Sequence, residues 1–335
     1  MAIIDDPSVY WQIKQWTGND GTSALTFDGN SDLQADLFWL KTRNAGDLWR
    51  CYDSVRGVNI GLVPNATDAE QNVANDGITA IGSDGFTMVS GTTFGGGDYN
   101  QSSTNYIAYA WKELAGFMDI VSYTGDGAEG RNISHSLGTV PKMMIVKNRD
   151  AAVKWVVYHA KNTAAPETDH LVLDTAVATA DDDSMWDDTA PTSSVFRIKS
   201  SSAVNSDGVK YIAYLFGDTS ISKIGSYTGN GNADGPFVYT GFKPNWVMLK
   251  WSAGAENWSV YDTSRNPING PNDSFLVVDD VNSENSNTDD LEMLSNGFKL
   301  NRAHARANSD GYPYIFMAFA ENPFVTSTGI PAVAR

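Results

Sequence analysis

Carboxylates and histidines are the residues of this chain whose types could do chemistry. Two carboxylates held close together can cleave a glycosidic bond, one as the acid and the other as nucleophile or base. Each acidic run in this sequence lies in a polar segment of the kind that forms solvated loops. We therefore expect no catalytic pair among them. The runs are Asp181–Asp183, Asp187–Asp188, Asp279–Asp280 and Asp289–Asp290.

Metal-binding patterns are weak as well. None of the four histidines, His135, His159, His170 and His304, has a partner at a zinc-ligand spacing. Asn230–Gly235 resembles the opening of a calcium loop, but the twelfth position is Gly241 where a bidentate glutamate is needed. We predict a tight Asx turn there. The only cysteine, Cys51, aligns with valines in later copies of the repeat below and is expected to be a small buried apolar side chain. We expect no metal, no cofactor, no catalytic residue and no enzymatic activity.

The strongest regularity is a pattern that occurs three times at intervals of about 105 residues. Each copy has an apolar run that ends in lysine, then a W-x-x-Y segment, and finally a Tyr-Ile strand. A unit of this size can bury its own core, so we expect tandem domains. A motif used three times favours a scaffold or a binding surface over one active centre. The lysines are Lys41, Lys147 and Lys250, and the repeat anchors are Trp49, Tyr52, Trp155, Tyr158, Trp258 and Tyr261.

The segments that carry these anchors have the sequence pattern of β-strands. Lys142–Lys147 and Asn245–Lys250 are short runs of β-forming residues, and each is followed after a turn by a W-x-x-Y strand, which predicts a hairpin. Residues three apart on a strand face opposite sides, so the Trp and the Tyr of each copy should pack against different layers. We predict an all-β fold of three similar antiparallel β-sandwich domains. A closed barrel is the alternative.

The repeat also sets the expected boundaries. The arm and the tail either reach a neighbouring subunit or are frayed ends. The predicted segments are an N-terminal arm at 1–15, β-sandwich copies at 16–117, 118–220 and 221–323, and a C-terminal tail at 324–335.

The chain is acidic, with a formal net charge of −17 and a pI near 4.5. This charge argues against binding nucleic acid or an anionic membrane surface, because both need clustered lysine and arginine. No apolar run is long enough to span a bilayer, and the N-terminal residues lack the pattern of a signal peptide. We expect a protein made in a bacterial-type cytoplasm, with neither nucleic acid nor an inserted membrane segment as a partner.

Aromatic residues are the candidates for recognition, because flat amphipathic rings stack on sugars and anchor protein interfaces. The repeated tryptophans are expected to pack in the core. Tyr99, next to a glycine-rich loop, and Trp186, in an acidic loop, do not recur and are the predicted ligand-binding residues.

Several longer motifs resemble a known group of proteins. They are Asp5–Tyr10 with Trp16–Gly18, Phe27–Gln34, Phe38–Arg43, Tyr52–Gly57, Gly225–Gly231, Gly235–Phe242, Asn296–Lys299 and Met317–Phe324. At these residues the chain is similar to predicted tail-fibre and tail-associated proteins of phages, many of them marine. The resemblance covers nearly the whole chain and carries over no catalytic or ligand residue.

The resemblance implies a structural protein on the virion surface that contributes to host attachment. It could be a tail fibre or tip, or a protein that decorates the capsid or tail. The chain has no long shaft, heptad region or collagen-like repeat, which favours a compact knob. Its expected partners are other virion proteins and a host surface glycan or receptor. Family analogy suggests a trimer, although one chain with three similar domains could match a symmetric site as a monomer. The alternatives are a carbohydrate-binding module for host polysaccharide and, third, a polysaccharide depolymerase.

Overall fold

The protein is all-β, as the sequence predicts, in a computed structural model that describes residues 3–73, 75–92, 99–267, 269–270, 273–323 and 328. Two short 3-10 turns, Pro7–Val9 and Pro166–Thr168, accompany the strands. The strands fall into three consecutive groups, which we call units 1, 2 and 3.

Among its described residues, unit 1 contains nine strands. They are β1 (Trp11–Thr17), β2 (Thr22–Leu25), β3 (Leu37–Thr42), β4 (Arg50–Asp53), β5 (Ile60–Gly61), β6 (Gln71–Asn72), β7 (Gly77–Ile81), β8 (Phe86–Val89) and β9 (Asn105–Trp111). Unit 2 contains eight strands. They are β10 (Met118–Thr124), β11 (Arg131–Ser134), β12 (Met143–Asn148), β13 (Val156–His159), β14 (Asp169–Val172), β15 (Ala180–Asp181), β16 (Val195–Ile198) and β17 (Lys210–Phe216).

In the part of unit 3 that the structure describes there are nine strands. They are β18 (Ser222–Thr228), β19 (Phe237–Tyr239), β20 (Phe242–Trp251), β21 (Ser259–Asp262), β22 (Asp273–Val277), β23 (Asn285–Thr288), β24 (Leu291–Leu294), β25 (Gly297–Leu300) and β26 (Pro313–Pro323).

The main sheets of the three units share one strand order. They run β1-β9-β3-β4, β10-β17-β12-β13-β14-β15 and β18-β26-β20-β21-β22-β23. In each, the first and last strands of the unit pair, and the lysine-bearing strand pairs with the W-x-x-Y strand as a hairpin. A smaller sheet covers one face of each main sheet, in the orders β2-β8-β7, β11-β16 and β19-β25-β24. All the named strand pairs are antiparallel, and β5 and β6 form a separate two-stranded ribbon.

The two aromatics of the W-x-x-Y segment pack into different clusters in units 1 and 2, as the strand periodicity predicts, whereas Tyr261 of unit 3 lies in the same cluster as Trp258. Tyr52 lies in the apolar cluster between the two sheets of unit 1, and Tyr158 lies in the corresponding cluster of unit 2. Trp49, Trp155 and Trp258 instead face a cluster that includes residues of all three units. The repeated tryptophans are therefore core residues, but the core they fill is shared.

At the centre of this shared core, one aromatic residue from the last main-sheet strand of each unit meets its two counterparts. Trp111, Phe216 and Phe319 occupy equivalent positions, five residues after the tyrosine that opens the Tyr-Ile motif. Their ring centroids are 5.7 to 6.3 Å apart in all three pairings. Such edge-to-face contacts are favourable for aromatic rings. The three units thus surround a pseudo-threefold axis.

The indole N–H of each repeated tryptophan leaves its own unit and donates to a main-chain carbonyl of a neighbour. Nε1 of Trp49 in unit 1 bonds a carbonyl of unit 3, that of Trp155 in unit 2 bonds unit 1, and that of Trp258 in unit 3 bonds unit 2. The direction is the same each time, so the contacts close into a ring. The acceptors are Val277 O at 2.7 Å, Val63 O at 2.9 Å and Val172 O at 2.9 Å, respectively.

The repeated lysines close the ring a second time, in the same direction. The Nζ atoms of Lys41, Lys147 and Lys250 donate to carbonyls of the neighbouring unit, at Val281, Thr67 and Ala176. They also donate to carbonyls of their own turns. All three side chains are buried, and desolvation lowers the pKa of each ammonium to about 8. These charges are therefore tolerated through several carbonyl acceptors each.

A third set of contacts also joins neighbouring units, but one of the three interfaces differs from the other two. In two interfaces a tyrosine hydroxyl donates to an aspartate that is itself bonded to a buried arginine. In the third interface a histidine contacts a main-chain carbonyl instead. The pairs are Tyr109–Asp262 at 2.8 Å, Tyr214–Asp53 at 2.7 Å and His159–Phe316 O at 3.2 Å.

One predicted boundary differs from the structure. The predicted arm at 1–15 is too long, because Trp11 to Gln15 form the start of β1 and pair with β9. The predicted boundaries of the three copies stay a prediction. Units 1 and 2 each have an apolar cluster between their own sheets, and all three units also share a cluster. The predicted tail at 324–335 lies outside the described residues except for Thr328.

The W-x-x-Y strands also share an anchor that generates a pH prediction. The main-chain N–H of Trp49, Trp155 and Trp258 donates to a side-chain oxygen of Asn65, Asp174 and Asp279, at 2.9, 2.7 and 2.9 Å. Burial raises the pKa of Asp279 from 3.8 to about 6. A raised carboxyl pKa favours the protonated form in the fold, so the stability it gives is present at low pH and is lost as pH rises through about 6.

We predict that Asp279→Asn will stabilise the protein at pH 7.5 by roughly 1–2 kcal/mol and flatten the fall in stability between about pH 4 and 6.5. The amide keeps the acceptor for Trp258, as Asn65 does natively in unit 1. Guanidinium denaturation across this pH range measures the effect, with exposed Asp310→Asn as the control for charge removal. A variant that is less stable at pH 7.5 and keeps the wild-type pH profile would contradict this assignment.

Candidate functional site

The structure buries both residues predicted to bind ligand, so that prediction is wrong. Tyr99 is 5% exposed, and its hydroxyl accepts a 2.7 Å hydrogen bond from Nε of Arg50, whose guanidinium lies over the ring. Trp186 is 1% exposed and donates from Nε1 to Asp169 O at 3.0 Å. Both rings fill space between or beside the sheets of their own units. Neither face is available to stack on a sugar.

The acidic runs are partly buried, which also differs from the expectation of solvated loops. Asp181 to Asp183 are exposed or half-buried. Asp290, by contrast, is fully buried and accepts hydrogen bonds from the Tyr261 hydroxyl at 2.7 Å and the Arg306 guanidinium at 3.1 Å. Its Oδ2 atom fixes the third W-x-x-Y tyrosine and accepts both of these bonds.

Asn230–Gly235 contains a tight turn, as the sequence predicts. The Asn230 side chain accepts from the main-chain N–H of Asn232 at 3.0 Å, which is an Asx turn. Within the described part of the chain, no group of three or more histidine, cysteine, aspartate or glutamate side chains could hold a metal ion. No helix there is long and apolar enough to cross a membrane.

Unit 3 carries an exposed aromatic pair at its sheet edge. Phe237 is 47% exposed and Tyr239 is 60% exposed, on either side of buried Val238 in β19. Alternate residues of a strand share a face, so the two rings lie on one side about 6.6 Å apart along the strand. β19 is the edge strand of its sheet. Exposed aromatics side by side on an edge strand are an unusual surface and a candidate binding platform.

This pair belongs to unit 3 alone. The strand register aligns Val238 with Ile133 and Leu25, because each pairs with the phenylalanine of the covering sheet. The flanking positions are then Asn132 and Ser134 in unit 2, and Ala24 and Thr26 in unit 1. The scaffold does not need aromatics at these positions, since two of the three units fold without them.

Both exposed rings lie beside glycines. A Cβ added at Gly297 would lie 2.9 Å from Phe237 Cζ, and one at Gly241 would lie 3.6 Å from the Tyr239 hydroxyl. Gly297 is also the cross-strand partner of Tyr239. The rings therefore lie over main chain of unit 3 that has no side chain to cover it.

A groove of about 370 Å³ runs beside this pair, between the edge strands β18 and β19. Its polar lining includes Lys223 from unit 3 and exposed Lys161 from unit 2, so the groove spans an interface of the ring. Lys223 contacts Asp218 at 2.5 Å. We call this feature the aromatic groove, defined by Lys161, Lys223, Gly225, Phe237, Tyr239 and Phe316.

The groove exists because two core positions have exchanged size. Gly225 on β18 pairs with Phe316 on β26, whereas the equivalent pair in unit 2 is Val121 and Ala213. A Cβ at Gly225 would lie 2.7 Å from the Phe316 ring, which is too close for an ordinary contact. The phenylalanine thus occupies the space above the glycine and forms part of the groove floor.

The comparisons with known proteins give a family but no activity. A family model described as a domain of unknown function, DUF7483, matches residues 6–323. The chain belongs to the DUF7483 family. The match runs through all three units of this DUF7483 chain as a single domain. A search of curated proteins found no match.

The sequence holds a signal for the aromatic groove that the predictions above do not use. Gly235–Phe242 contains the alternation Phe-Val-Tyr, and alternation on a strand places two of these residues on one face. Phe237 and Tyr239, like Tyr99 and Trp186, do not recur in the other units, but only Phe237 and Tyr239 are exposed. The polar loops around Tyr99 and Trp186 gave no sign that these rings turn inward.

The size exchange leads to a second prediction. Gly225→Val should destabilise the protein by about 1–3 kcal/mol, because the new side chain overlaps the Phe316 ring. Phe316→Ala should cost about 3–5 kcal/mol by leaving a cavity. The double variant reproduces the unit 2 pair, so its cost should fall at least about 1 kcal/mol short of the sum.

Guanidinium denaturation of the four proteins gives this coupling directly. Gly21→Val is the matched control, since an added Cβ there meets nothing closer than 3.5 Å. Additive single and double variants would show that Gly225 and Phe316 do not share this space.

Proposed function

We propose that this chain is a structural component of the surface of a bacteriophage particle and contributes to attachment to the host. The resemblance to phage tail-associated proteins motivates the proposal. The observation that carries it is that two sets of residues have separate roles in the structure. The repeated residues hold the ring of units together, whereas the exposed aromatic pair of unit 3 faces outward. A rigid block with one differentiated face suits an adhesive particle component.

The pseudo-threefold arrangement supports a specific mode of attachment to the particle. One chain supplies three similar units around an axis, an arrangement that otherwise needs three subunits. We propose that a single copy can sit at a symmetric position of the tail or capsid, with other virion proteins as partners. The position on the particle, in this proposal, is a tail tip or a decoration site.

A carbohydrate-binding module is the second candidate, and the exposed pair Phe237 and Tyr239 favours it. Aromatic rings held flat on a surface are suited to stacking against sugar rings. The two candidates are compatible, because a particle protein can attach to a host through a surface glycan.

The particle proposal predicts that the protein copurifies with virions. Particles of the phage that encodes this chain, purified on a density gradient, should contain it at many copies each by quantitative mass spectrometry. A major capsid protein serves as the internal standard, and an early non-structural phage protein as the contamination control. Recovery of the chain only in the soluble lysate, at the level of that control, would reject the proposal.

A further inference from the structure

We propose that the aromatic groove binds an acidic polysaccharide, with sugar rings on Phe237 and Tyr239 and sugar carboxylates at Lys161 and Lys223. This ligand class deepens the attachment function and rests on that proposed function. The proposal stands on three properties of the groove: its rings, its charge and its rigidity.

The rings set the geometry of a linear ligand. Phe237 and Tyr239 point to the same side of one strand, roughly 6.6 Å apart along it. Successive sugar units of one chain can therefore lie over successive rings. The exposed edge of β19 leaves the path open at the sheet margin, since the other edge of that strand pairs with β25.

The charge of the groove opposes that of the whole protein. The chain carries a formal net charge of −17. The groove, by contrast, is lined by two lysines, Lys161 and Lys223, and by no described aspartate or glutamate. Asp218 offsets part of the charge of Lys223 from outside the lining. Lys161 comes from unit 2 and is exposed. A local positive site favours an anionic ligand, even though the net negative charge of the protein repels such a ligand at longer range.

Rigidity reduces the cost of binding. The Phe237 ring lies beside Gly297 and the Tyr239 hydroxyl beside Gly241, and the unit that carries them is joined to unit 2 by the hydrogen bond from Trp258 Nε1 to Val172 O. A preorganised platform loses less side-chain freedom when a ligand arrives. The glycan need only supply rings and carboxylates at matching intervals.

The test uses the full chain with oligogalacturonate as the acidic probe and maltooligosaccharide as the neutral one, measured by isothermal titration calorimetry. We expect the acidic probe to bind and to weaken as salt increases. The double variant Phe237→Ala with Tyr239→Ala should bind about tenfold more weakly or worse. Lys161→Gln should weaken the acidic probe and leave the neutral one unchanged.

The control is Tyr312→Ala, which removes an exposed aromatic that stacks on Trp251 outside the groove, and it should bind as the wild type does. Circular dichroism melts confirm that each variant folds. Absence of binding, equal binding of both probes, or binding that survives the double variant would overturn the inference. Virion mass spectrometry is a separate readout, so a particle-bound protein that binds no acidic glycan loses this inference alone.

Discussion

Three equivalent aromatic rings, Trp111, Phe216 and Phe319, meet on one axis, and the rest of the structure depends on that contact. Each ring belongs to the last main-sheet strand of its unit, so packing all three together fixes the orientation of three sheets. The main sheets then present their outer faces to one another, and those faces are apolar. Burying them gives the ring its main favourable term, since burial of apolar area is the dominant contribution to folding.

The polar groups carried into this core make the ring selective for three units. Each repeated tryptophan N–H and each repeated lysine ammonium finds an acceptor on the next unit, in one rotational direction. Removing a unit would leave buried donors without acceptors, at a cost of about 1–3 kcal/mol for each group. The three units are not equivalent at every position. His159 replaces an aspartate in one interface, and the exchange of Gly225 with Phe316 opens the aromatic groove beside it.

The sequence alone was sufficient for the local structure and for the core assignment of the repeated tryptophans. Strand periodicity predicted the hairpins and the opposite faces of Trp155 and Tyr158, because both depend on residues close in the chain. It could not predict ring closure, since the acceptors are main-chain carbonyls that any residue could supply. Burial of Tyr99 and Asp290 was missed for a related reason: polar neighbours in sequence do not show which side chains a loop turns inward. The exposed pair on β19 could be predicted from the alternation of Phe237, Val238 and Tyr239.

Equilibrium unfolding of the full chain in guanidinium tests the shared-core account most directly. Far-UV circular dichroism reports the strands of all units, and tryptophan fluorescence reports the common core. The account predicts one cooperative transition with the same midpoint for both signals, because unfolding any unit exposes the cluster that it shares with the other two. Two or three separated transitions, or a core signal lost while the strand signal persists, would show that the units fold independently and contradict it.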